Sequence, residues 1–394
     1  MLLGLVGKPN VGKSTFFKAA TLSDVLIANY PFATIKPNHG IGYTKIHDLA
    51  ADFGKFSNPR EGYVKKGWRF VPVEIYDVAG LVEGASEGKG LGNEFLNDLA
   101  AVDAFIHVVD MSGETDADGK TINSEVNYDP ARDIRFIEEE LDNWYLGILK
   151  KTWEKFARAV EVQKGKFSEA VAKQFSGLKV LEDDVKSVLL KTGLNPEKPS
   201  HWSADDLKKF STALRKTSKP MIIAANKIDR PNGKSNFEKI KGGFDYPIVA
   251  CFSDGELALK EADKHGMIDY VPGEKDFEIV KELSEVQKNA LDGIKKILDE
   301  FGSTGVQDVL NKTVFDMLKY VAIYPAGAKL SDSKGNVLPD CFLMPPGSTA
   351  LDFAFRLHTD IGNAFVKAVH IKTKQAVGKD YVLKNGDGLE ILTR

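Results

Sequence analysis

The feature that most constrains this chain is a glycine-containing segment directly after its first apolar run. Residues 2–6 read Leu-Leu-Gly-Leu-Val, short enough for one buried strand, and residues 7–14 read Gly-Lys-Pro-Asn-Val-Gly-Lys-Ser. Gly7 and Gly12 permit backbone angles and close approaches that a Cβ would block, so several N–H groups can converge on phosphate oxygens. We therefore predict a strand, a phosphate-binding loop (the P-loop, residues 7–14) and a helix.

The side chains of the P-loop predict contacts with nucleotide phosphates and Mg²⁺. Lys13 supplies a positive charge for the β- and γ-phosphates, and Ser14 supplies a hydroxyl for Mg²⁺. We expect the loop and the residue after it to contact the nucleotide through Gly7, Pro9, Asn10, Val11, Gly12, Lys13, Ser14 and Thr15.

Bulk composition limits the classes of protein to be considered. The chain has 394 residues, 43% of them hydrophobic, which predicts two or three domains. A net charge of -3 gives no global argument for nucleic-acid binding and indicates no DNA specificity. Cys251 and Cys341 are far apart, which argues against disulfides and zinc. Because the P-loop starts at residue 7 and the apolar runs are strand-sized, we expect a cytoplasmic protein without a membrane partner.

Apolar runs alternate with helical patterns along the first two thirds of the chain. Residues 104–109 and 221–225 are continuous apolar runs typical of strands that are covered on both faces, and residues 41–46 and 71–76 also favour strands. This alternation predicts an α/β fold with a doubly wound, mainly parallel sheet. Ligands of such sheets bind beyond the carboxyl ends of the strands.

Changes in the spacing of apolar residues along the chain predict three domains. Residues 1–112 and 219–320 form the P-loop domain, with trailing helices over 276–320. Residues 113–218 form a helical insertion, because 131–165 and 166–191 have helical periodicity that suits a hairpin of long helices. Residues 325–394 form a small α+β module around one helix that Ser348 or Thr349 caps.

The sequence Asn226-Lys227-Ile228-Asp229 follows an apolar strand directly. At this place in a nucleotide-binding sheet, a carboxylate such as that of Asp229 can accept hydrogen bonds from N1–H and the 2-amino group of guanine. Adenine offers neither donor and would leave a buried carboxylate unpaired. The motif therefore predicts that Asn226, Lys227 and Asp229 bind GTP or GDP rather than adenine nucleotides.

Two further segments supply candidates for sensing the γ-phosphate. Asp77 follows a strand and can hold the hydration shell of Mg²⁺, while the N–H of Gly80 can reach the γ-phosphate. The hydroxyl of Thr34 is a candidate Mg²⁺ ligand from a separate loop. We thus predict Ser14, Thr34 and Asp77 at the metal and Lys13, Thr34 and Gly80 in hydrolysis. The glycine-rich residues 83–92 suit a loop whose order changes when the γ-phosphate contact is lost.

These motifs resemble those of Obg-family GTPases, specifically the YchF (Obg-like ATPase) branch. The resemblance rests on residues 7–15, Tyr-Pro-Phe-Ala-Thr at 30–34, and residues 77–82 and 84–92. The last 70 residues resemble the TGS domain, a ubiquitin-like β-grasp module. The residues that carry this second resemblance are Gly347, Ser348, Thr349, Asp352, Ala354, His358, Gly362, Gly386 and Asp387. Membership implies a switch that associates with ribosomes or another RNA-containing translation complex.

The sequence departs from related GTPases at positions that affect function. Typical YchF members lose the aspartate of the base-reading motif and prefer ATP; this chain keeps Asp229, so GTP is predicted and ATP is the alternative.

Leu81 stands where many GTPases place a glutamine that orients the attacking water. We therefore expect slow intrinsic GTPase activity, with a nucleotide-dependent binding scaffold as the alternative. Asn10 is the residue type with which related GTPases bind K⁺, which suggests K⁺ stimulation.

Two assignments stay open in the sequence. The last base-contacting loop should follow the strand at 247–249, where Phe252 and Ser253 are the candidates because the usual Ser-Ala is missing. His107 lies inside an apolar strand, which favours a structural role over a catalytic one.

Overall fold

The computed structural model of the chain describes residues 1–22, 39–77, 99–123, 125–151, 153–162 and 166–394. The chain divides into two compact units, the first comprising Met1–Phe17 and Ile75–Asp254 and the second Lys18–Glu74 and Gly255–Arg394. Thr34, Gly80, Leu81 and the glycine-rich residues 83–92 lie outside the described residues. The domain boundaries that the sequence suggests stay a prediction.

The strands of the described residues are β1 (Leu2–Val6), β2 (His39–His47), β3 (Tyr63–Lys65), β4 (Trp68–Asp77), β5 (Ala104–Asp110), β6 (Met221–Asn226), β7 (Ile248–Ala250), β8 (Ile268–Tyr270), β9 (Phe277–Ile279), β10 (Val321–Pro325), β11 (Phe342–Met344), β12 (Phe365–His370), β13 (Ala376–Val377) and β14 (Gly388–Thr393).

The α-helices of the described residues are α1 (Lys13–Thr21), α2 (Ala131–Lys150), α3 (Trp153–Val162), α4 (Phe167–Gln174), α5 (Glu182–Thr192), α6 (Ala204–Ser218), α7 (Gly233–Ile240), α8 (Ser253–Lys264), α9 (Glu285–Phe301), α10 (Val306–Asn311), α11 (Ala350–Leu357) and α12 (Thr359–Asn363). Short 3₁₀ turns span Leu49–Phe53, Ser176–Leu178 and Pro199–His201, and a π-helical stretch spans Lys312–Met317. No helix within the described ranges is long and apolar enough to cross a membrane.

The first unit is built on a parallel sheet in which β1, β5, β6 and β7 are successive neighbours. Every residue of β5 and β6 is buried, as the continuous apolar runs predicted. The parallel register places Asp110, the last residue of β5, beside Asn226, the last residue of β6. Side chains from two separate parts of the sequence therefore meet at the carboxyl edge of the sheet.

The helices between β5 and β6 differ from the predicted hairpin of long helices. Among the described residues, α2 is the longest of them at 20 residues, α3, α4 and α5 have 10, 8 and 11, and α6 has 15. After α4 the chain makes a 3₁₀ turn and Lys179 adopts a left-handed backbone conformation, which ends the helical path. Aromatic contacts link these helices. The ring centroids of Trp153 and Trp202 lie 5.3 Å apart, and those of Phe167 and Phe210 lie 5.8 Å apart. The capping box of Ser203 and Asp206 starts α6.

The second unit contains the predicted β-grasp module. Its five strands lie in the order β11-β10-β14-β12-β13, with β10 and β14 parallel in the middle. Helix α11 covers one face, where Phe353 packs against Ile323 and Leu389. Thr349 caps this helix in a capping box with Asp352, which settles the alternative between Ser348 and Thr349.

The other face of the β-grasp sheet is also covered. Tyr324 and Ile371 pack into one hydrophobic cluster with Ile46 of β2 and with Leu49, which follows it. The hydroxyl of Tyr324 donates a hydrogen bond to the carbonyl of His47 at 3.2 Å. Residues near 46–50 and the β-grasp sheet thus share one core within the second unit.

Candidate functional site

The P-loop joins β1 to α1 and depends on its two glycines. Gly7 has φ of 150° and Gly12 has φ of 94°. A Cβ on Gly7 would lie 2.5 Å from the carbonyl oxygen of Val108, and one on Gly12 would collide with the side-chain amide of Asn226. The loop therefore requires glycine for space as well as for backbone conformation.

Lys13 begins α1 and turns its ammonium group back toward the loop. Its Nζ donates hydrogen bonds to the carbonyl oxygens of Gly7 and Lys8, each at 3.0 Å. Burial lowers the pKa of Lys13 and the Asp77 carboxylate opposes this shift. The ammonium is held inside the loop whose backbone would surround a phosphate. Thr15, the residue directly after the P-loop, is partly buried in the same first turn of α1.

Ser14 and Asp77, both predicted at the metal, lie side by side. Ser14 Oγ donates to Asp77 Oδ2 at 3.3 Å. Burial raises the pKa of Asp77, while Lys13 and the hydrogen bond from Ser14 act in the opposite direction. Asp77 Oδ1 is buried and has no hydrogen-bond partner among the described residues. A hydroxyl and a buried carboxylate with an unpartnered oxygen form a donor set that Mg²⁺ prefers.

The base-reading segment contacts the P-loop through Asn226. Its Nδ2 donates to the carbonyl of Val11 at 3.0 Å. Its Oδ1 accepts hydrogen bonds from the backbone N–H of Ser253 at 3.2 Å and from Ser253 Oγ at 2.8 Å. Ser253, predicted as a possible base contact, thus begins α8 and fixes the Asn226 side chain. Phe252 beside it is partly buried.

Asp229 and Lys227 project from the same loop after β6. Burial raises the pKa of Asp229, and Arg230 lies 3.6 Å away as its nearest ion-pair partner. Lys227 Nζ donates to the carbonyl of Asn10 and to Asp110 Oδ2, both at 2.9 Å. The structure therefore brings the predicted residues of 7–15, 77 and 226–229 together at one edge of the sheet, while their roles in binding stay a prediction.

Asp110 is also part of this site, although no sequence motif marks it. Its side chain is buried and accepts hydrogen bonds from Ser112 Oγ, Thr115 Oγ1 and Lys227 Nζ. Its position in the sequence could have identified it, because Asp110 ends an apolar strand as Asp77 does.

The residues after β5, here called the 111–128 segment, pack against the outside of the P-loop. Asn10 Nδ2 donates to the carbonyl of Gly119 at 2.8 Å, and Lys8 Nζ donates to the carbonyl of Thr115 at 3.0 Å. Gly119 lies so close to Pro9 that a Cβ on it would be 2.6 Å from the Pro9 carbonyl oxygen. The residues of the 111–128 segment are mostly polar and show no periodicity, so no sequence pattern predicted this contact.

Lys8 also connects the P-loop to the first turn of α2. Its Nζ lies 2.8 Å from Asp133 Oδ2 and 4.1 Å from the ring centre of Tyr128. Both partners of the ion pair are almost fully buried, with 2% and 6% of their side chains exposed. Burial raises the pKa of Asp133, and Lys8 opposes that shift.

His107 is fully buried in the middle of β5, opposite Val6 of β1. Neither ring nitrogen has a hydrogen-bond partner within the described part of the chain, and burial lowers its pKa to about 3. The imidazole is therefore neutral at physiological pH. Across the same described ranges, no group of three or more His, Cys, Asp or Glu side chains is arranged to hold a metal ion.

Three family models match the chain. The model described as a 50S ribosome-binding GTPase matches residues 2–140, and the TGS domain model matches residues 323–393. The model described as the G4 motif-containing domain of the Obg-like GTPase YGR210-like group matches residues 224–327.

Relatives of similar length extend these matches over the whole chain. An uncharacterised GTP-binding protein of Methanocaldococcus jannaschii is 46% identical, with 100% of this chain and 99% of the relative covered. The ribosome-binding ATPase YchF of Mycoplasma pneumoniae is 34% identical, with 94% and 90% covered. The crystal structure of a GTP-binding protein from Pyrococcus horikoshii is 39% identical, has a TM-score of 0.78 and covers both chains fully.

Proposed function

Because the chain belongs to the YchF/Obg-like family of P-loop GTP-binding proteins, we propose that it is a guanine-nucleotide switch with slow intrinsic GTPase activity that acts on ribosomes. The family makes it a P-loop nucleoside triphosphatase, whereas the choice of base, the rate and the partner belong to the proposal. The observation that carries the choice of guanine is the loop after β6. Asn226 is fixed to Val11 and Ser253, and Asp229, whose side chain is 22% exposed, follows in the same loop.

The test of base preference is equilibrium binding of GTP and ATP to the full-length protein by calorimetry. We expect GTP to bind more tightly, and Asp229→Asn to remove about ten- to a hundredfold of that preference, because hydrogen bonds to a charged acceptor are lost. Asp245→Asn, an exposed aspartate of the same unit, is the matched control and should bind both nucleotides as the wild type does. Tighter binding of ATP by the wild type would contradict the proposal and favour the ATP-preferring alternative, which relatives named ATPases suggest.

The proposed cofactor is Mg²⁺, held by Ser14 and Asp77, with Thr34 as a third ligand. When bound, the ion would neutralise negative charge on the β- and γ-phosphates. The residues of this chain would supply the remaining contacts: Lys13 a positive charge, the P-loop its N–H groups, and Gly80 an N–H toward the γ-phosphate. Asp77→Asn should weaken GTP binding in the presence of Mg²⁺ more than in its absence.

Slow hydrolysis follows from Leu81, because leucine cannot orient water. We propose that K⁺ compensates in part through Asn10. The Nδ2 of this side chain is engaged by the Gly119 carbonyl, which leaves the amide oxygen to face a cation. Phosphate release should therefore be faster in K⁺ than in Na⁺ buffer, and equal rates would count against the K⁺ role.

The partner is tested by co-sedimentation with ribosomes in the presence of GTP, GDP or a non-hydrolysable analogue. A switch should sediment differently with GTP and with GDP.

The specific alternative, which Leu81 favours, is a binding scaffold that hardly turns over. Multiple-turnover phosphate release with and without ribosomes separates the two, because a scaffold would show no turnover in either case.

A further inference from the structure

A groove of about 480 Å³ opens on the β-grasp module. It lies along the ends of β10 and β14 and is lined by the partly exposed apolar side chains of Leu357, Ile361 and Ile391. Its volume is in the range of sites that hold small ligands or a few amino-acid side chains. All of its lining residues belong to the second unit.

The polar lining of this groove is acidic. Asp332, Asp340 and Glu390 line it, and Arg60 is its one basic lining residue. Arg60 is shared between two of the carboxylates, at 2.7 Å from Asp332 and 2.5 Å from Asp340. Hydrogen bonds from Asn336 hold the pKa of Asp332 at about 2, so that carboxylate is ionised at neutral pH.

Glu390 supplies the uncompensated charge. It is partly buried in β14, its Oε1 lies next to Gly327, and it forms no ion pair with another described residue. With three carboxylates and one guanidinium, the groove carries negative charge beside apolar surface. A nucleic-acid backbone would be repelled there, whereas lysine and arginine side chains would be attracted.

We propose that this groove binds a short cationic segment of a partner protein. Apolar side chains of that segment pack against Leu357, Ile361 and Ile391, while its lysine or arginine side chains pair with Glu390 and with the Asp332–Asp340 pair. Both faces of the β-grasp sheet are covered within the unit, and the groove lies where residues of β14 meet Leu357 of α11 and Ile361 of α12. The proposal does not depend on which nucleotide the chain binds.

The test measures fluorescence anisotropy of a fluorescein-labelled octapeptide of alternating lysine and leucine, titrated with the full-length protein. We expect saturable binding that a peptide of alternating glutamate and leucine does not show. Glu390→Gln should weaken binding about fivefold, the effect of one partly exposed ion pair, and Glu390→Arg should weaken it further.

Asp380→Arg is the matched control, because Asp380 is an exposed carboxylate of the same module outside the groove. It changes net charge as Glu390→Arg does and should leave peptide binding unchanged. Ile361→Glu tests the apolar surface and should also weaken binding, with thermal melting used to verify that each variant is folded. Equal loss of binding in Asp380→Arg and Glu390→Arg, or tighter binding of a labelled uridine oligonucleotide than of the lysine peptide, would overturn the proposal.

Discussion

At the scale of residues, Lys8 places a buried charge in the P-loop. Its ammonium is paired with Asp133 at 2.8 Å in a nearly water-free environment. Burying two charges is costly, and removing one partner leaves the other uncompensated.

Replacing Lys8 alone should therefore destabilise the protein strongly. Lys8→Met should lower the free energy of unfolding by about 3 kcal/mol, because Asp133 stays buried without its cation. The double variant Lys8→Met/Asp133→Leu should regain most of that loss. Urea denaturation measures the free energy of unfolding of each variant. If the loss in the double variant equalled the sum of the losses in Lys8→Met and Asp133→Leu, this account would be contradicted.

The buried His107 predicts a specific dependence of stability on pH. Its pKa is about 3 in the folded chain and near 6.5 when unfolded, so between these values the unfolded state binds more protons. Stability should fall as pH decreases through this window. From pH 7 to pH 5 the contribution of His107 amounts to about 2 kcal/mol of lost stability.

The control for this prediction is His107→Leu, which removes the titrating group from an apolar site. Its free energy of unfolding, measured in urea at several pH values, should decrease less than that of the wild type on acidification. Parallel pH profiles for the two proteins would rule out the assignment to His107.

At the scale of elements, the contact between the 111–128 segment and the P-loop is the feature with the clearest consequence. Asn10 and Lys8 both donate hydrogen bonds to backbone carbonyls of this segment, and Gly119 packs directly on Pro9. The shape of the P-loop is thus supported from outside by chain that follows another strand.

Gly119→Ala should displace this support and weaken nucleotide binding. The new Cβ would lie 2.6 Å from the Pro9 carbonyl oxygen, and alanine is also disfavoured at φ of 79°. Gly193→Ala is a matched control, because Gly193 has a similar φ of 70° and no heavy atom within 4 Å of the added Cβ. Each variant should lose about 1 kcal/mol of stability from backbone strain, while only Gly119→Ala should lower GTP affinity in calorimetry. If Gly119→Ala and Gly193→Ala bound GTP with equal affinity, the contact would not shape the P-loop.

At the scale of the whole molecule, the second unit joins distant parts of the chain around Arg69. This side chain is 1% exposed, and its guanidinium donates to the carbonyls of Leu338 at 3.2 Å, Pro339 at 3.0 Å and Glu61 at 3.3 Å. The β-grasp module is consequently bound to the β3–β4 hairpin through a buried cation as well as through apolar packing.

Arg69→Met should lower the free energy of unfolding by about 3 kcal/mol, because buried carbonyl groups lose a charged donor. Arg60→Met is the comparison, since Arg60 is 54% exposed and its surface ion pairs with Asp332 and Asp340 should contribute under about 1 kcal/mol. Urea denaturation of the two variants gives both numbers, and equal losses would contradict the buried role of Arg69.

Much of the fold could be predicted from local sequence patterns. The buried strands β1, β5 and β6 were found because unbroken apolar runs stand out from their surroundings, and Thr349 was one of two candidates for the cap of α11. Strands β3, β8 and β9 were missed because each has three residues with a charged one among them, whereas the equally short β7 is wholly apolar. The division of the insertion into short helices was also missed, since the left-handed turn at Lys179 has no glycine or proline at that position.

The sequence by itself determined the chemistry of the candidate site: two glycines, Lys13 and Ser14 in the P-loop, and the Asn226 to Asp229 motif. These patterns are local, because each motif sits within a few residues of a strand end. Only the tertiary structure decided that Asp110 and Ser253 position Lys227 and Asn226, that Lys8 pairs with Asp133, and that both faces of the β-grasp sheet are covered. Such contacts join polar groups that are distant along the chain, and their partners depend on how the strands are ordered in space rather than on neighbouring residues.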